Sequence, residues 1–141
     1  MNESKEGQSQ TDEVEVLRAA AQLVAAFGEH RVADYFGCFD ESATFIFHNV
    51  SQPLRSRADY ERLWLDWERH LDFRVLECRS SNEALDVHGD VAVFTHDVRT
   101  RTSTLEGEET LVERETIIFR RVPDSGWLAV HEHLSTMPDG E

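Results

Sequence analysis

The chain changes from helical to strand-like hydrophobic spacing about halfway along its length. Its first half holds stripes of apolar residues three and four apart, over residues 17–27, 32–39 and 60–71. Thr11 and Ser56 stand where they would cap the first and the third of these helices. The third stripe includes Tyr60 and Trp64, which gives that helix a broad aromatic face. The spacing therefore predicts three N-terminal amphipathic helices.

One short and several long strand-like runs predict a sheet. Residues 43–48 are aromatic and β-branched, which is typical of a short buried strand. Longer runs follow, separated by glycine-containing turns, at about residues 73–87, 90–104, 109–122 and 126–136. Helices first and an antiparallel meander afterwards indicate an α+β domain, with the helices packed on one face of a curved, mostly antiparallel sheet.

Length and composition fit one domain. The chain has 141 residues, 40% of them hydrophobic, and a chain of this size buries roughly two-thirds of its unfolded surface. Residues 1–10 are polar, so we expect a disordered tail ahead of a single domain over residues 11–141. The sequence shows neither the apolar core of a signal peptide nor an apolar run of about 20 residues, which predicts a cytoplasmic protein with no membrane contact.

Charge and motifs argue against several classes of function. The formal net charge is -14, so most of the surface would repel a phosphate backbone, and we expect no nucleic-acid partner. Cys38 and Cys78 fit neither a disulfide framework nor a close metal-ligand spacing. The sequence contains no glycine-rich phosphate loop and no recognisable nucleophile motif. We therefore expect no cofactor, and neither nucleotide-dependent chemistry nor acyl transfer.

The last predicted strand places ionisable side chains inside an apolar run. Because side chains alternate along a strand, His131 and His133 share one face and Glu132 stands on the other. Two histidines at this spacing can reach one metal ion, but a site needs three or four ligands. The sequence does not show that His48 or His96 supplies a third, so we expect no metal. For His131 and His133 the alternatives are hydrogen bonds within the sheet or at a dimer interface, or pairing with a neighbouring carboxylate.

Several motifs of the second half resemble a known family when they are taken in order. They are Val87-His-Gly-Asp-Val-Ala-Val93, Arg114-Glu-Thr116, Phe119-Arg-Arg121, Gly126-Trp127 and His131-Glu-His-Leu-Ser135 ahead of Pro138. Their order and spacing resemble the SnoaL-like (polyketide cyclase-like) branch of the nuclear transport factor 2-like superfamily. They are also similar to the association domain of calcium/calmodulin-dependent protein kinase. The resemblance covers about residues 12–138 and implies a cone-shaped fold that encloses a pocket and pairs as a homodimer through its outer sheet face.

The resemblance also suggests which side chains face the pocket. The pocket-facing arginines of the association domain fall on residues of other types here, so we expect that cationic pocket to be lost. According to this alignment, the side chains that face the pocket are Thr95, Asp97, Arg99, Glu113, Glu115, Ile117, Glu132 and Leu134. Burial and like charge would raise the pKa of such carboxyl groups, which suits proton transfer beside a carbonyl, so Asp97 and Glu132 are candidate catalytic residues. A structural network with arginines such as Arg114 is the alternative.

Aromatic side chains supply candidates for the rest of the pocket wall, although each is equally an ordinary core residue. The candidates are Tyr35, Phe47, Tyr60 and Trp64. An alternative polar cluster consists of His131, His133 and Arg114. A flat apolar wall suits a small cyclic or aromatic ligand. The resemblance implies either a cofactor-independent isomerase, cyclase or dehydratase, or a non-catalytic homodimerisation or ligand-binding module.

Overall fold

Three helices and five strands make up residues 2–138, which the computed structural model describes, with side chains from residue 7 onward. The helices are α1 (Asn2–Gly28), α2 (Val32–Gly37) and α3 (Arg57–Leu71). The strands are β1 (Phe39–Phe47), β2 (Arg74–His88), β3 (Val91–Thr104), β4 (Gly107–Val122) and β5 (Gly126–Thr136). The predicted α+β arrangement of helices and a mostly antiparallel sheet is confirmed.

The first helix begins earlier than the sequence indicates. α1 starts at Asn2, and the Thr11 hydroxyl donates to the Gly7 carbonyl oxygen at 2.9 Å instead of capping the helix. Extending a formed helix needs no new nucleation, so the polar residues ahead of Thr11 continue it although residues 7–11 are exposed. Met1 and residues 139–141 lie outside the described residues. Within residues 2–138, no helix has both the length and the apolar character needed to cross a membrane.

The strands form one sheet in the order β1-β5-β4-β3-β2. β1 runs parallel to β5, and the other neighbouring pairs are antiparallel. Gly107 begins β4 with a φ of 113°, a backbone conformation that favours glycine, and this allows the short turn from β3. The predicted cap of α3 is confirmed, because the Ser56 side chain accepts from the backbone N–H of Asp59 at 3.1 Å.

Strand register decides which side chains point toward the helices. The buried positions of β3 include His96 and Val98, which alternate with more exposed neighbours. His96 lies directly opposite Glu115 on β4, and opposite residues of an antiparallel pair share a face. Glu115 therefore points toward the helices, whereas Asp97, opposite Arg114, points to the outer face of the sheet.

A β-bulge in β5 turns Glu132 toward the helices. Consecutive residues of β4 pair with Ala129 and with His131, so Val130 is an extra residue in β5. Ala129 and Glu132 are consequently both buried on the inner face, although they differ by three positions. A strand without the bulge would give Glu132 the face of Val130 instead.

Aromatic rings fill much of the space between the helices and the sheet. The Tyr35 ring on α2 lies 6.0 Å from that of Tyr60 and 5.6 Å from that of Trp64, both on α3. Phe45 and Phe47 of β1 approach Tyr60 to 4.6 and 5.1 Å. Tilted and edge-on contacts at these centroid distances are favourable for aromatic pairs. The cluster holds α2 and α3 over the edge of the sheet that β1 and β5 form.

Candidate functional site

A cavity of about 250 Å³ lies between the helices and the inner face of the sheet. Its aromatic lining consists of Phe27, Tyr35, Phe47, Tyr60, Trp64, Trp67 and Phe73. Its acidic lining consists of Glu109, Glu113, Glu115 and Glu132, and among residues 7–138 no lysine or arginine joins them. The lining residues Asn49, Leu71 and Glu109 are exposed and mark its open end. Apolar walls with a few polar groups are typical of a small-molecule site.

Glu132 is the most deeply buried carboxyl group of the cavity, with 2% of the residue exposed. The Tyr35 hydroxyl donates to Glu132 Oε1 at 3.3 Å and lies 3.0 Å from the Tyr60 hydroxyl. Since Tyr35 gives its one proton to Glu132, the Tyr60 hydroxyl donates to Tyr35. Burial raises the pKa of Glu132 well above its ordinary value, and the charge of Glu115 raises it further. The neutral form of Glu132 is therefore favoured, and its proton can be donated into the cavity.

Glu115 shares a proton with a buried histidine. Its Oε1 lies 2.7 Å from Nε2 of His96, whose side chain is completely buried. Nδ1 of His96 lies 2.5 Å from the Ser80 hydroxyl, which donates its only proton to Glu83 at 2.7 Å. Ser80 must therefore accept from His96, so Nδ1 carries a hydrogen. The Nε2 lone pair of the neutral imidazole then accepts the proton of Glu115.

The environment of this pair favours the neutral forms. Burial raises the pKa of Glu115 to about 8, and the negative charge of Glu113 adds to the rise. Burial also lowers the pKa of His96 from its ordinary value of 6.5. Both shifts follow from the cost of holding a charge away from water. Glu115 and His96 consequently hold one proton between Oε1 and Nε2 until the pH approaches 8.

A third carboxyl group completes the acidic wall. Glu113 precedes Glu115 by two positions on β4, so it shares the inner face, and it is 5% exposed. Its carboxylate pairs with Nε2 of His48, the residue that follows β1. Glu132 lies on the neighbouring strand, opposite Ile117. The negative charge of Glu113 raises the pKa of both Glu115 and Glu132.

The structure places most of the predicted pocket residues on the cavity wall. These are Tyr35, Phe47, Tyr60, Trp64, Glu113, Glu115, Glu132 and Leu134. Ile117 has the predicted inward direction, but it is completely buried in the core and does not line the open space. The cavity therefore brings together side chains from α2, α3, β1, β4 and β5.

The predictions that Thr95, Asp97 and Arg99 face the cavity are wrong. Asp97 lies on the outer face, where its carboxylate accepts from the Asn82 amide at 2.6 Å, and Thr95 shares that face. The alignment to the association domain assigned the wrong parity to β3. Arg99 follows Asp97 by two positions and therefore lies on the same face of β3. It is exposed, as expected for a residue on the outer face. Asp97 is consequently no longer a candidate catalytic residue.

The alternative polar cluster also lies outside the cavity. His131, His133 and Arg114 are on the outer face of the sheet. The rings of the two histidines are 6.1 Å apart, and Nδ1 of His131 lies 2.8 Å from the Thr44 hydroxyl oxygen. Among the described side chains, no group of three or more histidine, cysteine, aspartate or glutamate residues is arranged to hold a metal ion.

His48 and His96, which pair with the carboxyl groups, are considered from the sequence only as a third metal ligand, and their pairing with glutamates is not predicted. A signal for His96 exists, because it interrupts the buried set of alternate residues formed by Ala92, Phe94 and Val98. His48 gives no such signal. It follows β1 directly, and only the folded sheet brings it to Glu113, 65 positions away in the chain.

Comparison with known proteins decides the family. Residues 16–140 match the model of the SnoaL-like domain. The chain belongs to the SnoaL-like family. The resemblance carried by the motifs of the second half is thereby confirmed. No curated protein matches this SnoaL-like chain.

Solved structures share the fold of this SnoaL-like protein. A nuclear transport factor 2 (NTF2-like) superfamily protein from Salmonella enterica serovar Typhimurium LT2 is 15% identical with a TM-score of 0.77, over 94% of this chain and 96% of that one. An NTF2-like protein with a cystatin-like fold from Novosphingobium aromaticivorans is 16% identical with a TM-score of 0.73, over 99% and 90%. An NTF2-like protein from Rhodospirillum rubrum is 18% identical with a TM-score of 0.73, over 87% and 98%. Identities this low show a common fold and nothing about activity.

Proposed function

We propose that this SnoaL-like protein binds a small cyclic or aromatic molecule in its cavity and moves a proton on it. The reaction would be that of a cofactor-independent isomerase, cyclase or dehydratase. The observation that supports the proposal most is that two buried carboxyl groups, Glu115 and Glu132, line the same open, largely aromatic cavity. Groups with pKa values shifted in this way occur most often where proton transfer is required.

The size and charge of the cavity restrict the ligand. Its volume of about 250 Å³ exceeds the roughly 150 Å³ of an apolar cavity that takes up benzene. A ligand of one or two rings therefore fits. Because no lysine or arginine of the described residues lines the wall, an anionic ligand would find neither of these groups to pair with.

The two carboxyl groups suit different steps of a proton transfer. Glu132, neutral near pH 7, would donate a hydrogen bond to the carbonyl oxygen of the ligand, where negative charge develops. Glu115, once ionised, would take the proton from the carbon beside that carbonyl and could return it elsewhere on the ligand. The difference in their surroundings assigns Glu132 as the acid and Glu115 as the base. Two candidate catalytic residues, Asp97 and Glu132, follow from the sequence. This proposal keeps Glu132 and replaces Asp97 with Glu115.

The proposal is tested by proton exchange on a bicyclic ketone. 2-Tetralone is incubated with the protein in D₂O, and loss of its α-proton signals is followed by ¹H NMR. We expect the protein to accelerate exchange, with a rate that rises with pH and levels off above about pH 8 because the base must be ionised. Glu115→Gln and Glu132→Gln should each slow exchange by about 100-fold or more. Asp97→Asn is the matched control and should leave the rate unchanged; equal loss in all variants, or no acceleration, contradicts the proposal.

A non-catalytic ligand-binding module is the second candidate, and one feature of the site favours it. The carboxyl groups have protein partners, Glu115 with His96 and Glu113 with His48, as a purely structural network would. The same NMR samples separate the two functions. Ligand-induced shifts in the protein spectrum without exchange into the ketone would support binding alone.

We also propose that two copies pair through the outer face of the sheet. Apolar side chains are exposed or half-buried there: Ile46, Val91, Val93 and Ile118. They share this face with the His131–His133 pair. An apolar face of this kind on an otherwise charged surface favours contact with another protein surface. The family resemblance supports a second copy of this chain as the partner.

A further inference from the structure

An unbroken chain of hydrogen bonds connects the cavity to the protein surface. It runs from Glu115 Oε1 to His96 Nε2 over 2.7 Å, and from His96 Nδ1 to the Ser80 hydroxyl over 2.5 Å. From Ser80 it continues to Glu83 Oε2 over 2.7 Å. Glu83 is exposed, whereas the His96 side chain is completely buried. Each of these atom pairs is within hydrogen-bonding distance, so the chain is continuous from solvent to cavity.

The path runs across three neighbouring strands, from Glu115 on β4 through His96 on β3 to Ser80 on β2, and ends away from the open end of the cavity. Ser80 and Glu83 line a surface groove beside α1, while Glu115 lines the cavity. Val24 and Cys78 line both the groove and the cavity, so the two spaces are neighbours. The exposed residues of the cavity mouth, such as Leu71, do not line this groove.

An irregularity in β2 builds the outer end of the path. Ser81 pairs with Asp97 and Ala84 with Thr95, so two residues of β2 stand opposite His96 alone. One of them, Asn82, has a φ of 52°, a left-handed conformation that asparagine tolerates better than most residues. The resulting turn of the strand brings Glu83 back to the hydroxyl of Ser80.

We propose that Glu83, Ser80 and His96 form a proton relay that exchanges the proton of Glu115 with solvent while a ligand occupies the cavity. The inference rests on the proposed function, because it gives Glu115 a proton to exchange. The three relay residues do not touch the ligand; they act through Glu115. A ligand that fills the cavity excludes water from its mouth, so a second route is what allows Glu115 to be reset between proton transfers.

The transfer balances without any movement of heavy atoms. The proton of Glu115 passes to Nε2 of His96, and the hydrogen on Nδ1 passes to the Ser80 oxygen. The former hydroxyl hydrogen of Ser80 passes to the Glu83 carboxylate, which releases it to water. Glu115 is left ionised, and His96 remains neutral with its hydrogen on Nε2 instead of Nδ1. The two hydrogen bonds of His96 have then reversed their directions, and rotation of the Ser80 hydroxyl back toward Glu83 restores the starting arrangement.

Other ionisable groups face the two ends of the buried pair. Those on the cavity side are Glu113, His48, Glu132, Tyr35, Tyr60 and Cys78. Those toward the surface are Glu83 and Asp97, whose charges oppose the drop in the pKa of His96 that its burial causes. Apart from His48, which pairs with Glu113 and not with Glu115, the groups on the cavity side are acids.

The tautomer of His96 tests the relay without any substrate. Ring ¹⁵N shifts of uniformly labelled protein are measured from pH 6 to pH 9. We expect His96 to remain neutral and to move its hydrogen from Nδ1 to Nε2 as Glu115 ionises near pH 8. A His96 that becomes an imidazolium in this range, or that keeps one tautomer throughout, would overturn the relay whatever the fate of the ketone assay.

Variants of Ser80 provide the second measurement. At saturating 2-tetralone, Ser80→Ala should slow α-proton exchange by about 100-fold, the lower range for a positioned acid–base group, with an unchanged Kd. Ser80→Thr keeps the hydroxyl and should restore the rate. Glu77→Gln alters a neighbouring glutamate of the same groove and should have no effect. If Ser80→Ala exchanges the α-protons of 2-tetralone at the full rate, the relay is excluded but the proposed function stands. If the wild type does not exchange them, the proposed function is wrong, and the tautomer measurement alone decides the relay.

Discussion

At the scale of single residues, environment gives identical side chains different properties. Glu113, Glu115 and Glu132 all point toward the helices, yet one pairs with His48, one shares a proton with His96, and one accepts from Tyr35. Glu132 and Glu115 have raised pKa values because both are buried, while Asp97 on the outer face hydrogen-bonds an amide. The pKa of each carboxyl group therefore depends on which face of the sheet it occupies.

The raised pKa of Glu115 makes stability fall with pH. The folded protein holds this proton up to about pH 8, whereas the unfolded chain releases it near 4.5. Unfolding therefore releases a proton between these values, and raising the pH favours the unfolded state. His96 and His131 have lowered pKa values, so their titration makes stability rise with pH, but mainly below pH 6.5. The range from pH 6.5 to 8 therefore reports mainly on the carboxyl groups. Glu115 alone should lower the free energy of unfolding by about 2 kcal/mol across it.

Urea unfolding at pH 6.5 and at pH 8 measures this effect. Glu115→Gln should show a shallower decline than the wild type, because the titrating group has been removed, and Asp97→Asn should decline as the wild type does. Equal declines in all three proteins would mean that Glu115 ionises in the folded state as it does in the unfolded one.

At the scale of elements, the sequence predicts where strands run better than which way they face. Its long runs match β2 to β5 within about two residues, and the Ser56 cap is where expected. Faces depend on register, which one extra residue reverses. The bulge at Val130 leaves no mark in the periodicity. The parity inferred for β3 placed Asp97 in the site, whereas the observed register places His96 there. The partners His48 and His96 come from contacts between distant segments, which no local pattern encodes.

The start of α3 should contribute measurably to stability. The Ser56 hydroxyl satisfies an otherwise unpaired N–H of the first turn, so Ser56→Ala should lower the free energy of unfolding by about 1 kcal/mol. Ser56→Asn retains a capping oxygen and serves as the control, with a change of a few tenths at most. Chemical denaturation provides the measurement. A Ser56→Ala protein as stable as the Ser56→Asn protein would show that the cap does not hold α3, and with it Trp64, in place.

At the scale of the whole molecule, charge and apolar surface oppose each other. A net charge of -14 on each copy disfavours association at low ionic strength. The apolar side chains of the outer sheet face favour it once salt screens that charge, over a Debye length of about 10 Å at 0.1 M. The cavity opens on the other side of the sheet, so pairing through the outer face leaves the site accessible.

Light scattering should detect the pairing. We expect a mass near twice the 16.2 kDa of the chain at moderate salt, with dissociation favoured as salt is lowered. Ile118→Arg places a charge at the centre of the outer face and should yield monomers. Leu105→Ser changes a residue that is 73% exposed in the β3–β4 turn and should not affect assembly. A monomeric mass for the wild type at all salt concentrations would contradict the proposed dimer.

The protonation of the cavity carboxyl groups is the central claim, and ¹³C NMR of side-chain-labelled glutamate tests it most directly. Glu115→Gln and Glu132→Gln assign the two resonances by removing them one at a time. At pH 7 the Glu132 carbon should have the shift of a protonated carboxyl group, and the Glu115 carbon should titrate near pH 8. Titration of both groups near their ordinary value of 4.5 would contradict the account, because the cavity would then hold ordinary carboxylates with no proton to donate at neutral pH.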